Sequence, residues 1–322
     1  MKSHRNVRLR MMLGVAVIAA AAALTLTFNA EASTIGTSGA SYTHQTAPTR
    51  FVDVGGARLA YRRFGQPGSV PLVFFQHFVG NMDSWDPAVV DGLAKGREVV
   101  IFDSAGVGSS DGDVPVTVEG MASYAIGLLR ALDIKQADLL GFSLGSLVAQ
   151  EVAFEQPALV HRIILVGSGP RGGEGMASLT PEFQALLAKK RHNPDDLLLD
   201  VFFTPSAGSQ AAGQKFLARL HARQEGRDLP VSDKVAPAQV AAFAAWGRPQ
   251  ANSTDYLKQI KQPVLVVDGS HDIVHYPINS FTLEEFLPNS ELIIYPDSNH
   301  GAQYQYPERF LTDATAFLDR KD

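Results

Sequence analysis

Residues 138–153 read Asp138-Leu139-Leu140-Gly141-Phe142-Ser143-Leu144-Gly145-Ser146-Leu147-Val148-Ala149-Gln150-Glu151-Val152-Ala153. A short strand, a sharp G-x-S-x-G turn and a helix follow one another without a gap, and that succession decides the fold. The two glycines stand where a β-carbon would collide with neighbouring chain. Ser143, between them, is lifted from the helix N-terminus toward the carboxyl edge of a sheet. The five-residue pattern alone is common by chance; its strand and helix context is what argues against a mere tight turn.

From Phe51 onward, runs rich in Val, Ile and Leu alternate with segments of helical period, the pattern of a mainly parallel sheet covered by helices. Eight strands are expected, at Phe51–Val54, Arg58–Phe64, Pro71–Phe75, Glu98–Phe102, Ala137–Gly141, Arg162–Val166, Pro263–Asp268 and Ser290–Tyr295. The first two pair as a hairpin through Gly55-Gly56. Between residues 170 and 255 the strand rhythm stops, and Pro181–Arg191, Gln210–Gln224 and Pro237–Trp246 read as helices. Such an insertion after the sixth strand would lie over the ligand crevice as a lid. The expected organisation is therefore a core of residues 49–169 and 256–322 with a helical cap at 170–255.

A serine hydroxyl is a poor nucleophile at neutral pH. It needs a base, and the base needs an acid to fix its tautomer and stabilise its charged form. Two loops just beyond strand ends supply them in the required order, acid then histidine: Gly269-Ser270-His271-Asp272 and Pro296-Asp297-Ser298-Asn299-His300-Gly301. The chain from Phe51 onward resembles the α/β-hydrolase fold family, with Ser143 as nucleophile, Asp272 as acid and His300 as base. Asp103-Ser104-Ala105-Gly106-Val107-Gly108-Ser109-Ser110 is similar to the D-x-x-G-x-G-x-S loop of these enzymes. The resemblance implies an oxyanion hole of two backbone N–H groups, one from Leu144 and one from the loop after the third strand. Many relatives carry H-G-X there, ahead of a tryptophan. Counting back from Trp85 aligns Gln76 with the histidine, His77 with the glycine and Phe78 with X, which makes Phe78 the second donor. A shift of one residue would pass the role to Val79. His77 either lines the crevice or steadies its loop.

Asp268 closes a strand and Asp297 sits in a turn, so each reads as a structural hydrogen-bonding residue beside Asp272. The loop after the sixth strand, Gly167-Ser168-Gly169-Pro170, carries no carboxylate. His271-Asp272-Ile273-Val274-His275 superficially matches a helical zinc motif. It follows a strand, however, and Pro277 marks the start of the next helix, so the two histidines do not share a helical face. They read as loop residues, one of which touches the pocket. His161, His192 and His221 take the bland surface reading, while Trp85, Trp246, Phe74-Phe75 and Phe202-Phe203 are packing residues first.

The N-terminus reads as a targeting segment. Lys2, Arg5, Arg8 and Arg10 precede an apolar stretch from Met11 to Phe28 and an A-x-A pattern at Ala30-Glu31-Ala32. Residues 1–32 are thus expected as a signal peptide, with an uncleaved membrane anchor as the alternative, and residues 33–48 as a flexible linker. Export to the periplasm or the medium is the expected localisation. The formal charge of -5 becomes about -8 after cleavage by residue counting, and no basic cluster remains to bind nucleic acid. Hydrophobic residues at 45% and charged ones at 19% fit a chain with a buried core. Without cysteine there is no thiol nucleophile, disulfide framework or thiolate metal site.

The expected activity is hydrolysis of an ester-like carbonyl in a small-molecule substrate through an acyl-enzyme on Ser143, needing no metal or organic cofactor. A serine at position 143 argues against dehalogenases and epoxide hydrolases of similar fold, which resemblance would require to carry aspartate there. Perhydrolase or haloperoxidase-like activity, carbon–carbon bond hydrolysis and a non-catalytic ligand sensor stay open.

Overall fold

The computed structural model describes residues 42–68, 70–193 and 195–321. The expected signal peptide and most of the expected linker lie outside them. Within them the chain runs β1 (Arg50–Val54), β2 (Ala57–Gly65), β3 (Leu72–Phe75), α1 (Pro87–Ala94), β4 (Glu98–Phe102), α2 (Val118–Ala131), β5 (Ala137–Phe142), α3 (Leu144–Glu155) and β6 (Val160–Val166). It continues through α4 (Pro181–Ala188), α5 (Asp195–Phe202), α6 (Ala207–Leu220), α7 (Val235–Trp246), β7 (Val264–Gly269), α8 (Ile278–Phe286), β8 (Ser290–Tyr295), α9 (Ala302–Gln305) and α10 (Pro307–Leu318). Every expected strand is present to within two residues.

The strands form one sheet in the order β1-β2-β4-β3-β5-β6-β7-β8, antiparallel at β1–β2 and β2–β4 and parallel elsewhere. The hairpin turns at Gly55 and Gly56, both at positive φ, as a two-residue turn between twisted strands requires. Strand periodicity splits the core in two. Val73, Phe75, Leu139, Ile163, Leu165 and Val266 face α2, α3 and α8. Their sequence neighbours Phe74, Leu140, Phe142, Ile164, Val166 and Leu265 face α1 and α10 on the other side. Both faces are covered, so the central strands read as continuous apolar runs.

From β3 the chain first crosses to β4 on one side and then returns past it to β5 on the other. Loops leaving β3 and β5 therefore diverge, and a crevice opens between them at the carboxyl edge. The four helices α4 to α7 lie between β6 and β7 in sequence. α5 was not anticipated: Asp195-Asp196-Leu197-Leu198-Leu199-Asp200-Val201-Phe202 is a short, nearly consecutive apolar run that reads equally as a buried strand. Among the described residues no helix is long and apolar enough to cross a membrane.

One expectation is corrected. The end of the expected flexible linker is packed: His44 and Ala47 are fully buried, and His44 N–H donates to Asp91 Oδ1 at 2.6 Å. Arg223, 179 residues further along in the cap, donates to the carbonyl of His44 at 2.7 Å and to that of Ala47 at 3.0 Å. Small polar composition signals a linker only when no distant donor captures its carbonyls, and that donor left no local trace in the sequence.

Candidate active site

Ser143 occupies the N-cap of α3 at φ 55°, ψ -124°, a conformation that serine rarely adopts. A serine at this position ordinarily folds its hydroxyl back onto the first turn of its helix. Here it makes no capping bond, so Oγ stays free for other work. The turn is enforced by its glycines: a β-carbon at Gly145 would lie 2.0 Å from the Phe75 carbonyl oxygen, and one at Gly141 would lie 2.5 Å from the Gly145 oxygen. Ser146 Oγ donates to the Ser143 carbonyl at 2.5 Å and steadies the turn from below.

The loops after β7 and β8 bring Asp272 to His300, with Nδ1 donating to Asp272 Oδ2 at 2.6 Å. Asp272 Oδ1 accepts the N–H groups of Val274 at 2.7 Å and His275 at 3.0 Å. The carboxylate is thus held at both oxygens. Burial raises Asp272 to about 7 and lowers His300 to about 3, which keeps the imidazole neutral and Nε2 an acceptor at pH 7. Gly167, at φ +52°, backs the pair: a β-carbon there would lie 2.8 Å from His300 Cε1 and Nδ1 and 3.4 Å from Asp272 Oδ2.

Asp268 and Asp297, the rival acids, have other partners. Asp268 accepts from Gly269 N–H and Ser280 O–H, and its own pKa rises well above the carboxylate range through burial and the Asp272 charge beside it. Two buried carboxyls so close keep a proton between them. Asp297 ties the cap to the core by accepting from Thr204 Oγ1 at 2.7 Å and Ser206 Oγ at 2.6 Å.

Ser143 and His300 line one cavity of about 280 Å³. Among the described residues His300 Nε2 has no hydrogen-bond partner, so the serine and the imidazole share the cavity without being bonded to each other. Serine-to-histidine contacts of this kind are often long before substrate arrives. At the expected oxyanion hole, neither Phe78 N–H nor Leu144 N–H donates to another group among the described residues. Val79 N–H is occupied, donating to Gln239 Oε1 of α7 at 2.7 Å. The alternative register is therefore disfavoured. Val79 itself sits at φ +58°, unusual for a β-branched residue.

The Asp103 loop braces the site from outside. Asp103 Oδ1 accepts Met82 N–H at 2.8 Å and Oδ2 accepts Ser109 N–H at 3.0 Å, while Ser110 Oγ donates to the Asp103 carbonyl at 2.8 Å. Of the ambiguous histidines, His77 and His275 line the cavity, whereas His271 is exposed and bonds Ser270. Gln239 and the role of Gly167 escaped the sequence, which also left open which of His271 and His275 reaches the cavity. Gln239 lies 160 residues from its partner, and nothing in the sequence sets Gly167 apart from the other glycines, several of which share its positive φ. The apolar wall includes Phe78, Val274 and, from the cap, Met176, Phe183, Leu197, Val201 and Phe243.

Residues 70–307 match the family model described as alpha/beta hydrolase fold. Among solved structures, an alpha/beta hydrolase fold protein from Chitinophaga pinensis is 40% identical with a TM-score of 0.82, covering 87% of this chain and 100% of that one. A non-heme chloroperoxidase of Streptomyces lividans is 29% identical over 82% of this chain and 96% of its own length. A 2-hydroxymuconate semialdehyde hydrolase of Pseudomonas sp. (strain CF600) is 26% identical over 73% of this chain and 81% of its own. The chain belongs to the α/β-hydrolase fold family.

Proposed function

We propose that the protein is a serine hydrolase acting on an ester-like carbonyl, with Ser143 as nucleophile, His300 as base and Asp272 as acid. The observation that carries the reading is a strained, uncapped Ser143 hydroxyl in the same apolar cavity as a neutral imidazole bonded to a buried carboxyl. Ser143 Oγ attacks the carbonyl carbon while its proton passes to His300 Nε2. The negative oxygen is met by the N–H groups of Phe78 and Leu144, each such donor worth about 3 kcal/mol in the transition state. The bond to the leaving alcohol breaks as His300 returns the proton to that oxygen. Water then gives a proton to His300, its oxygen attacks the acyl carbon, and the acid departs as Ser143 regains its hydrogen. The hydrogen bond from Ser143 to His300 forms in the substrate complex.

Labelling with a fluorophosphonate and mapping the modified residue tests this reading. Ser143 is expected to carry the label, and Ser143→Ala to lose both labelling and turnover of small p-nitrophenyl esters with its melting temperature kept. Undiminished turnover in that variant would overturn the assignment. The chloroperoxidase relative favours a second reading, peracid formation at the same serine, which is tested by assaying peracid from acetate and peroxide. The semialdehyde hydrolase relative raises carbon–carbon bond hydrolysis in the same way. Turnover of any of these substrates separates an enzyme from a non-catalytic sensor, which would show only a ligand-induced melting shift. We further propose export with cleavage after Ala32, which N-terminal sequencing of the mature protein tests.

A further inference from the structure

The cavity wall is apolar, and its few polar side chains stand out. Apart from Ser143 and His300, those lining it among the described residues are His77, His275 and Ser178, and Ser178 is exposed to solvent. The two histidines are buried and fixed in the same way. His77 Nδ1 lies 2.8 Å from the Phe78 carbonyl oxygen, and His275 Nδ1 lies 2.6 Å from the Gly167 carbonyl oxygen. A carbonyl oxygen only accepts, so each Nδ1 must carry the proton, and each Nε2 is left as a lone-pair acceptor. Burial lowers His77 to about 4 and His275 to about 3, so neither ring becomes a donor at neutral pH.

Packing locks both rings. His77 stands edge-on to Phe142 and Phe202, each with centroids 5.4 Å away, and His275 stands edge-on to Phe243 and His300, also at 5.4 Å. Neither Nε2 has a donor among the described residues. Both residues line the same cavity of about 280 Å³ as Ser143. An acceptor that lines an apolar cavity and has no protein donor gains most from a ligand that brings the missing hydrogen.

We propose that His77 and His275 form an acceptor subsite that selects substrates whose apolar acyl group carries a hydrogen-bond donor, a hydroxyl or an amide N–H, near the scissile carbonyl. The inference rests on the serine hydrolase reading and adds the substrate class to it. The two rings act on specificity and take no part in bond making.

The test compares kcat/KM for p-nitrophenyl esters of butanoate, 2-hydroxybutanoate, 3-hydroxybutanoate and N-acetylglycine. Wild type is expected to prefer at least one donor-bearing ester by about tenfold after correction for its uncatalysed rate, and the preferred ester tells hydroxyl from amide. In His77→Asn/His275→Asn the carboxamide nitrogen can still serve the backbone carbonyl at the Nδ1 position, but the acceptor at Nε2 is gone. The preference should fall to within about twofold. In His77→Gln/His275→Gln, which can present an acceptor near Nε2, part of it should return. Melting temperatures identify a variant that has simply lost its fold; for such a pair, the single substitutions are compared by the same ratio. Equal wild-type turnover of all four esters, abolished by Ser143→Ala, would overturn the subsite and leave the serine reading standing. A preference unchanged in the Asn variants would also overturn the subsite. No turnover of any ester, with no label on Ser143, would overturn both.

Discussion

Gly167→Ala isolates the placement of the imidazole. Gly167 does not line the cavity, yet the added carbon would stand 2.8 Å from two atoms of the His300 ring, where ordinary contact begins near 3.4 Å. The ring must retreat by roughly half an ångström or more, and a misplacement of about 1 Å in a reacting group can cost about a hundredfold in rate. The left-handed backbone at φ +52° adds about 1–2 kcal/mol of instability once a β-carbon is present, which is a fall of a few degrees in melting temperature. The variant should therefore lose about ten- to a hundredfold in kcat on p-nitrophenyl butanoate, with KM little changed and fluorophosphonate labelling slowed in parallel. Gly56→Ala serves as the control. Gly56 lies at φ +87° in the hairpin with nothing within 4 Å of the added carbon, so it should lose stability but keep its rate. If Gly167→Ala melted lower yet turned over within twofold of wild type, the claim that this glycine sets the histidine's position would be refuted.

Gln239→Leu strips the acceptor from Val79 N–H. Stability should fall by about 1–3 kcal/mol in urea melts, and kcat should drop more than KM rises, because the loop that loosens carries the Phe78 amide. Arg223→Ala removes the donors to the His44 and Ala47 carbonyls, and a loss of about 2–4 kcal/mol is expected. Trimming the chain to begin at residue 49 should mimic part of that loss. For activity against pH, Asp272, held up to about 7 by burial, must be ionised to support the imidazolium, so kcat/KM should decline as pH falls through about 7. Stability has its own pH dependence. His44, His77, His275 and His300 are all lowered by burial to about 4 or 3, so their neutral forms favour the fold fully above pH 6.5. That contribution is lost as pH falls, by up to about 1.4 kcal/mol per pH unit for each histidine. Asp272, raised by burial, acts in the opposite sense: its contribution is present below its unfolded value of 3.8 and lost as pH rises through about 7. Asp268 and Asp103, also raised by burial, act in the same sense as Asp272, so the histidine part is read as a difference: the gap in urea midpoint between wild type and His44→Gln should shrink from pH 6.5 to pH 4.5.

Most of the architecture was legible because it obeys local rules. The strands are short apolar runs set off by glycine and proline, and Gly141-Phe142-Ser143-Leu144-Gly145 carries its geometry in its own residues. Asp272 and His300 were legible because each follows a strand end in the required order. What escaped depends on partners far apart in the chain. Nothing near Gln239 announces that it will meet Val79, and nothing near His44 and Ala47 announces that Arg223 will claim their carbonyls. α5 was missed because its apolar residues fall as Leu197-Leu198-Leu199 and Val201-Phe202 within eight residues, a run too short to tell from a buried strand. His275 was half legible: its loop placed it near the crevice, but only the fold turned it toward the cavity.

The proposed reacting groups rise from strand ends of the sheet, whereas much of the cavity wall, including Phe183, Leu197, Val201 and Phe243, comes from helices inserted between β6 and β7. Substitutions in those helices can reshape what fits without moving Ser143, Asp272 or His300. Much of the wall's shape is in this sense written on a different stretch of chain from those three side chains, and lineages descended from such a scaffold are free to change diet while keeping the same teeth.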